Sequence, residues 1–552
     1  MRIIGRRARV GVLSLAISLG TTALGIGAGT GPAAAAGPRV LLVGSFHGVN
    51  GQYSSVQAAV DAARPGDWIL IGPGDYHETD DEQSVASSPS AYDLGHGDYG
   101  GVLITKSDLH LRGMNRTSVV IDGTKAGAPE ACDNAPQWQN FGAVGDLDAS
   151  GVPAGRNGIV IWKANGVSVS NLTVCNFLAG SGDSGNQIWW NGGDESGKVG
   201  LHGYTGSYLT ATSTFFGPDG TFANAEATAS TYGIFSSNSS GGSWDQIYAS
   251  NFNDSGSYVG ACQQVCNVTI SNAWMEYNAL GYSGTNSGGA VVIEHSQFDN
   301  NKDGLDTNTQ IDGDPPAPQN GACPAGKISP ITHTHSCWVV VDDYFHNNNN
   351  PNVPEAGSAS NGPTGTGMTL SGGKNDTVMD NRFADNGAWG LLLVPYPDEN
   401  PPVEHQSCSK TGGTEVATFG CVYDPQGDAV VHNTFTNDGF FGNPANVDFG
   451  ELTLEGHQIQ NCFKDNVAPQ GSVPANLEVA QAKCGPITKA PNDNATLLAQ
   501  ALCDTGFGAC TPADKYPAFT GVVMHSLPRL ATMPNPCAGV PSNAWCKSGK
   551  PL

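Results

Sequence analysis

Residues 266–288, CNVTISNAWMEYNALGYSGTNSG, and residues 289–311, GAVVIEHSQFDNNKDGLDTNTQI, are two copies of one pattern laid end to end. Met275 and Phe298 occupy the same slot 23 residues apart, and so do Gly281 and Gly304. Each copy opens on a short β-branched run (VTIS, VVIE), passes an apolar residue flanked by polar ones, and meets Asn before the glycine. A fixed period in this range is the mark of a solenoid, in which each unit buries its apolar face only against its neighbours. The runs are too short and too β-branched for helices, so the expected unit is a coil of short strands.

Working outward, the same signature recurs as SNFNDS (250–255), NRFADN (381–386), NTFTND (433–438) and NCFKDN (461–466). Strand-like runs accompany it, among them GIVIW at 158–162, CWVVVDD at 337–343 and DAVVHN at 428–433. Phe252, Met275 and Phe298 are expected to stack in adjacent coils, about 4.8 Å apart along the axis. Asn suits the turns because it tolerates the left-handed conformation and its amide can bond from coil to coil. The stretches 178–198, 310–337 and 397–428 interrupt the repeat and read as insertions that wall a groove. Upstream, SSVQAAVDAAR (54–64) puts Val56, Ala59, Val60 and Ala63 on one helical stripe behind a serine cap. That helix would cover the open end of the solenoid.

Composition agrees. The 552 residues include 74 Gly and 34 Pro, while charged residues make up only 14%. A coiled coil or helical bundle is excluded, because both need many more Glu, Lys and Arg. The formal net charge of −25 leaves no basic footprint for nucleic acid or an anionic membrane surface. Residues 1–36 have the layout of a cleaved secretory signal: Arg2, Arg6, Arg7 and Arg9, an apolar run, then Ala33–Ala36. All 14 cysteines follow it, an even count that suggests disulfides in an exported protein. Local pairs are expected for Cys262/Cys266, Cys323/Cys337, Cys408/Cys421, Cys503/Cys510 and Cys537/Cys546. The expected organisation is a signal over 1–36, a solenoid over 37–470 and a disulfide-stapled C-terminal cap over 471–552.

The run YSSVQAAVDAARPGDWILIGPGDYHE (53–78) and coils such as HSQFDNNKDGLDTNT (295–309) resemble the secreted pectin-lyase-like proteins. The resemblance spans about residues 40–470. It implies an all-β, single-stranded, right-handed parallel β-helix that binds sugar chains on one outward face. It does not select an activity, since that group holds hydrolases, lyases, uronan epimerases and non-catalytic members.

Candidate chemistry centres on NNKDGLDTNTQIDGD (300–314). With Gly304 opening the strand, alternation turns Leu305 inward and Asp306 and Asn308 outward. His202 and Tyr204, Phe235 and Ser237, and Thr369 and Ser371 are expected outward by the same register. Asn301-Lys302-Asp303-Gly304-Leu305-Asp306 is similar to an element of polygalacturonase-type hydrolases in which aspartates supply acid and base. That resemblance makes Asp303 and Asp306 the catalytic carboxylates; a lyase would need a base to abstract a proton α to a carboxylate, and Lys302 is a candidate for it. The companion Gly95-His96-Gly97 lies far upstream of where such a hydrolase has it. Trp162, His202, Tyr204 and Asn308 are the candidate sugar-binding residues, because aromatic faces stack on sugar rings.

Asp306, Asp312 and Asp314 share one strand face if the strand runs on, a set of oxygen donors suited to Ca²⁺. An alternative activity, a Ca²⁺-dependent lyase or uronan epimerase, would use that cation; hydrolysis needs no cofactor. A non-catalytic, glycan-binding stalk is the third reading. The expected partner in every case is a polysaccharide, engaged by a monomer.

Overall fold

The structure is a computed structural model. It describes residues 37–79, 100–141, 155–180, 184–193, 198–217, 229–262, 265–310, 317–355, 362–398, 407–417, 419–453, 461–482, 495–505 and 510–552. Residues 1–36, where the export signal is expected, lie outside them.

The two quoted repeats form two successive coils, each made of three strands. The first has Val268–Ser271, Trp274–Glu276 and Leu280–Thr285; the second has Val291–Glu294, Gln297–Asp299 and Asp303–Asn308. Each strand pairs in parallel with its counterpart one coil on. Repetition of this step builds a 20-stranded and an 11-stranded sheet among the described residues. The larger sheet contains two runs of strands, fused through the long strands Val167–Cys175 and Leu201–Thr212. The result is a parallel β-helix with three faces, and the core is the column of side chains pointing inward from all three.

Asn ladders tie the coils together. The Asn278 amide N–H donates to Asn301 Oδ1 at 2.9 Å, 23 residues on. The same bond continues from Asn301 to Asn348, from Asn348 to Asn386 and from Asn386 to Asp438, over 47, 38 and 52 residues. Coil height is therefore constant while coil length is not, and the excess residues leave as insertions. A second ladder runs through Ser296, Asp343, Asn381, Asn433 and Asn466. Between the strands, Asn272, His295, Asp342, Asp380 and His432 all adopt positive φ, from 52° to 58°. A non-glycine residue bears that conformation where the turn demands it, and Asn and Asp bear it best.

The apolar stack differs from expectation at one rung. Met275 pairs with Phe298, which stacks on Phe345 at 4.8 Å, followed by Phe383 and Phe435. Met275's partner on the other side is Ala249, not Phe252. The coil there is 26 residues long, as the bond from Phe252 to Asn278 shows. Phe252 still fills the core, three positions later, and is fully buried.

The helix Val56–Ala62 forms as read, with Ser55 accepting from the Ala58 amide at 3.2 Å. Its Gln57 side chain bonds both backbone groups of Leu103, on the end strand Gly100–Ile104 of the 11-stranded sheet. All five expected disulfides are present, joined by Cys132–Cys175. So many disulfides indicate an extracytoplasmic protein. Among the described residues, no helix is long and apolar enough to cross a membrane.

Residues 510–552 take an extended course back along the solenoid. The Lys515 amide bonds Asn443 near its C-terminal end, His525 exchanges bonds with Asn251, and Met533 bonds Asn171. Arg112 of an early coil holds the Pro536 and Ala538 carbonyls, and Trp545 Nε1 reaches Val49 O at 2.9 Å. There Cys537, Val540, Trp545 and Cys546 pack with Leu42, Leu70 and Met114 in a small core of their own.

Candidate functional site

The strand Asp303–Asn308 lies between Leu280–Thr285 and Thr366–Ser371 in the 11-stranded sheet. Gly304 makes the approach close. A Cβ there would stand 2.3 Å from Gly367 O and 2.8 Å from the Asn348 amide nitrogen. Any side chain would break into the Asn ladder, so only glycine brings Asp303 this near the next coil. Leu305 and Thr307 then point inward and are fully buried. Asp306 and Asn308 point outward, as alternation requires.

The next coil supplies hydroxyls to this face. Thr369 Oγ1 donates to Asp303 Oδ2 at 2.7 Å, and Ser371 Oγ donates to Asp306 Oδ1 at 2.7 Å. Thr369 is in register with Asp306, so both carboxyls come to the same side of the strand. On the coil before, Thr285 donates to Asn308 at 2.7 Å.

Asp306 departs from the exposed position expected of it: only 8% of its surface is accessible, and Asp303 has none. Burial therefore controls their acidity. It raises Asp303 well above the usual carboxylate range, helped by the Asp306 charge and opposed by Thr369 and the Leu305 amide. It pushes Asp306 up to about 7, against the Ser371 bond. Lys302 is buried as well, with Nζ 3.2 Å from Glu355 Oε2.

An outward row crosses the sheet through Val160, Trp189, Phe235, Tyr258, Ser283, Asp306 and Thr369, each in register with the next. Its first half is aromatic. Trp189 stacks on Phe235 at 5.0 Å, and Phe235 meets Tyr258 edge-on at 4.9 Å. These side chains form an apolar cluster outside the main core. Its second half is the carboxyl pair with its hydroxyls. Trp162 and Asn191 begin the adjacent row, and Lys163 Nζ lies 4.7 Å above the Trp162 ring.

Two candidate sugar-binding residues are elsewhere. Tyr204 is buried in the core, stacked on Trp190 at 5.5 Å, and its phenol oxygen accepts from Ser236 at 2.6 Å. The cause is Gly203, at φ +73°, which with Gly241 at +78° on the paired strand kinks the chain between His202 and Tyr204 and reverses the alternation. The phenol fills the space left by Gly242, where a Cβ would meet it at 2.2 Å. His202 is exposed, but its strand belongs to the 20-stranded sheet, not to the face that carries Asp306. Asp312 and Asp314, the other members of the Ca²⁺ set, lie outside the described residues.

A second carboxyl pair was not singled out from the sequence. Glu276 and Asp299 are register partners on adjacent coils. Tyr248 donates to Glu276 at 2.7 Å; Trp274 and Gln297 donate to Asp299 at 2.7 and 2.9 Å. Burial lifts Glu276 to about 7. Their identical place in AWMEYN and SQFDNN was the available signal.

No protein-family model matches the chain. No curated protein matches it in sequence. Solved structures do match in shape. The mannuronan C-5 epimerase AlgE6 A-module of Azotobacter vinelandii is 13% identical, at a TM-score of 0.42, over 76% of this chain and 90% of that one. An alginate lyase from Paenibacillus sp. str. FPU-7 is 10% identical, at 0.35, over 79% and 96%. The endo-xylogalacturonan hydrolase of Aspergillus tubingensis is 10% identical, at 0.35, over 78% and 91%. These structural neighbours are right-handed β-helix, pectin-lyase-like proteins, and the ladders of this chain itself build a parallel β-helix.

Proposed function

We propose that the outward face around Asp303 and Asp306 cleaves glycosidic bonds in an extracellular polysaccharide. The observation that carries this reading is the carboxyl pair itself: two acids on one side of a strand, each held by a hydroxyl of the next coil, Asp303 raised by burial well above the usual range and Asp306 to about 7. Glycoside cleavage asks for that division of labour. Asp303, whose carboxyl burial holds well above the usual carboxylate range, is the proton donor to the glycosidic oxygen as the bond to the anomeric carbon breaks. Asp306, ionised over part of the neutral range, attacks that carbon or takes the proton of an attacking water. The buried strip Trp189–Phe235–Tyr258 packs along the same row and backs the acids from one side.

Lys302 has a positioning role here. Its charge draws Asp303 toward ionisation, against burial, while Glu355 holds the ammonium in place.

The test is incubation of the protein with a panel of plant and microbial polysaccharides, with reducing ends and ultraviolet-absorbing unsaturated ends measured together. New reducing ends alone, lost in Asp303→Asn and in Asp306→Asn, support hydrolysis. Unsaturated ends would assign a lyase instead. Binding without new ends would make the protein a glycan-binding stalk.

A further inference from the structure

Three side chains converge where the first coils meet. The strand Gly74–Tyr76 pairs with Val119–Asp122, placing Asp75 opposite Val120 and bringing His77 beside Asp122. One ligand atom each from Asp75, His77 and Asp122 lies within 4.8 Å of the others.

The imidazole settles its own tautomer. His77 Nδ1 is 2.9 Å from the Thr124 carbonyl oxygen, which can only accept, so Nδ1 carries the hydrogen. In the neutral ring this leaves Nε2 with a lone pair. Nε2 faces Asp75 Oδ2 at 3.2 Å, with Asp122 in the same group. A lone pair aimed at carboxylates is repelled unless something positive lies between them.

Asp122 is held ready in the same way. Its Oδ1 accepts the Thr124 amide at 2.8 Å and its Oδ2 the Cys132 amide at 2.6 Å. The Cys132–Cys175 disulfide fastens the returning loop that presents the second amide. Each oxygen keeps a further lone pair for another partner. Those two cysteines are bonded to each other and are not themselves ligands.

We propose that Asp75, His77 and Asp122 form a binding site for one divalent cation of the zinc type. A backbone carbonyl that fixes one ring nitrogen while the other binds metal is the usual support for a histidine ligand. One nitrogen and two carboxylate oxygens form a three-ligand zinc set with a fourth place for water. Solvent reaches it, since the His77 and Asp75 side chains are 14% and 31% exposed. Charge favours the dication over a proton. A proton on Nε2 leaves the trio at −1, whereas a dication brings it to zero. The site joins two coils near the N-terminal end and is independent of the proposed cleavage chemistry.

The experiment uses the whole protein, disulfides intact, stripped with a chelator and dialysed against Zn²⁺. Elemental analysis and calorimetric titration should give one tightly bound equivalent, with a higher unfolding midpoint than the stripped protein. His77→Ala should lose that equivalent. Asp75→Asn should weaken it at least about tenfold. His77→Gln, close in size, guards against a folding defect. Failure of the wild type to bind Zn²⁺, or equal binding and equal midpoint shifts in the His77 variants, would overturn the site and leave His77 an imidazolium paired with Asp75.

Discussion

Thr369 reaches across one coil boundary to donate its hydroxyl to Asp303 at 2.7 Å, and it does so from the residue in register with Asp306. The pair's acidity is thus set by the neighbouring coil as much as by its own.

Removing those donors should move the pH profile of any cleavage before it abolishes it. Ser371→Ala takes away a bond that stabilises the Asp306 carboxylate, so its proton affinity rises further. The acid limb of the rate profile should shift to higher pH, and turnover near pH 6 should fall about fivefold, the worth of one hydrogen bond of about 1 kcal/mol. Thr369→Val should raise Asp303 likewise and extend activity at the basic limb. A profile that scales down without shifting would refute the hydroxyls' role.

Asp343 is the odd member of its Asn ladder, and Asp343→Asn should stabilise the protein. Asp343 Oδ1 accepts the Ser296 amide, but Oδ2 is buried with no partner. Burial raises this carboxyl well above its usual range. The amides of Asn381, Asn433 and Asn466 donate to Val340, Val378 and Val430, each three residues before the previous rung. The equivalent acceptor for residue 343 is the Ile293 carbonyl. A gain of about 1–2 kcal/mol in denaturant unfolding at pH 8 is expected. A loss would mean that the carboxyl serves better than an amide.

Stability should fall as pH rises from about 4 to about 8. Burial lifts Asp448 to about 6, Asp306, Glu276, Asp438 and Glu451 to about 7, and Asp428 to about 8. Their unfolded values are near 4. In this window the folded chain keeps protons that the unfolded chain has released, so the slope of stability with pH is negative. Asp67 runs the other way: its bonds to Arg39 and Arg64 overcome burial, and its contribution is lost on acidification below the window. The unfolding midpoint at pH 5 should exceed that at pH 8 by several degrees. An equal or lower midpoint at pH 5 would contradict the buried protons.

Trp545→Ala should detach the C-terminal strap without melting the coils. Trp545 is 1% exposed and bonds Val49 O. Truncating a buried Trp costs about 3–5 kcal/mol. Limited proteolysis should then clip the segment after residue 510 while the β-rich circular dichroism persists. Loss of both together would show that the strap and the coils fold as one unit.

The solenoid was legible because 266–311 holds two coils without insertions, so the pattern repeats at its natural length. Phe252 slipped because its coil carries three more residues, and core filling tolerated the slip. NCFKDN looked like a copy of the short middle strand, yet Cys462 pairs with Ala429 in the first run of strands. Asp306 pointing outward followed from alternation around Leu305; its burial did not, since the Ser371 hydroxyl that meets it comes from the next coil, 65 residues on. Tyr204 was misplaced because one left-handed glycine inverts a strand, and no local pattern announces it. The cluster of Asp75, His77 and Asp122 joins residues far apart in the chain, which only the stacking of coils brings together.

The return course of residues 510–552 also has a consequence in time. A ribosome delivers Arg112 424 residues before Pro536, the residue whose carbonyl it holds. At ordinary elongation rates that is an interval of roughly 20–85 s. Through that interval the patch of Leu42, Leu70 and Met114 has no Trp545 to cover it. A chain cut short by a premature stop would keep that patch bare permanently. The strap thereby acts as a receipt for a full-length product, and its absence leaves a greasy handle for chaperones and proteases to seize.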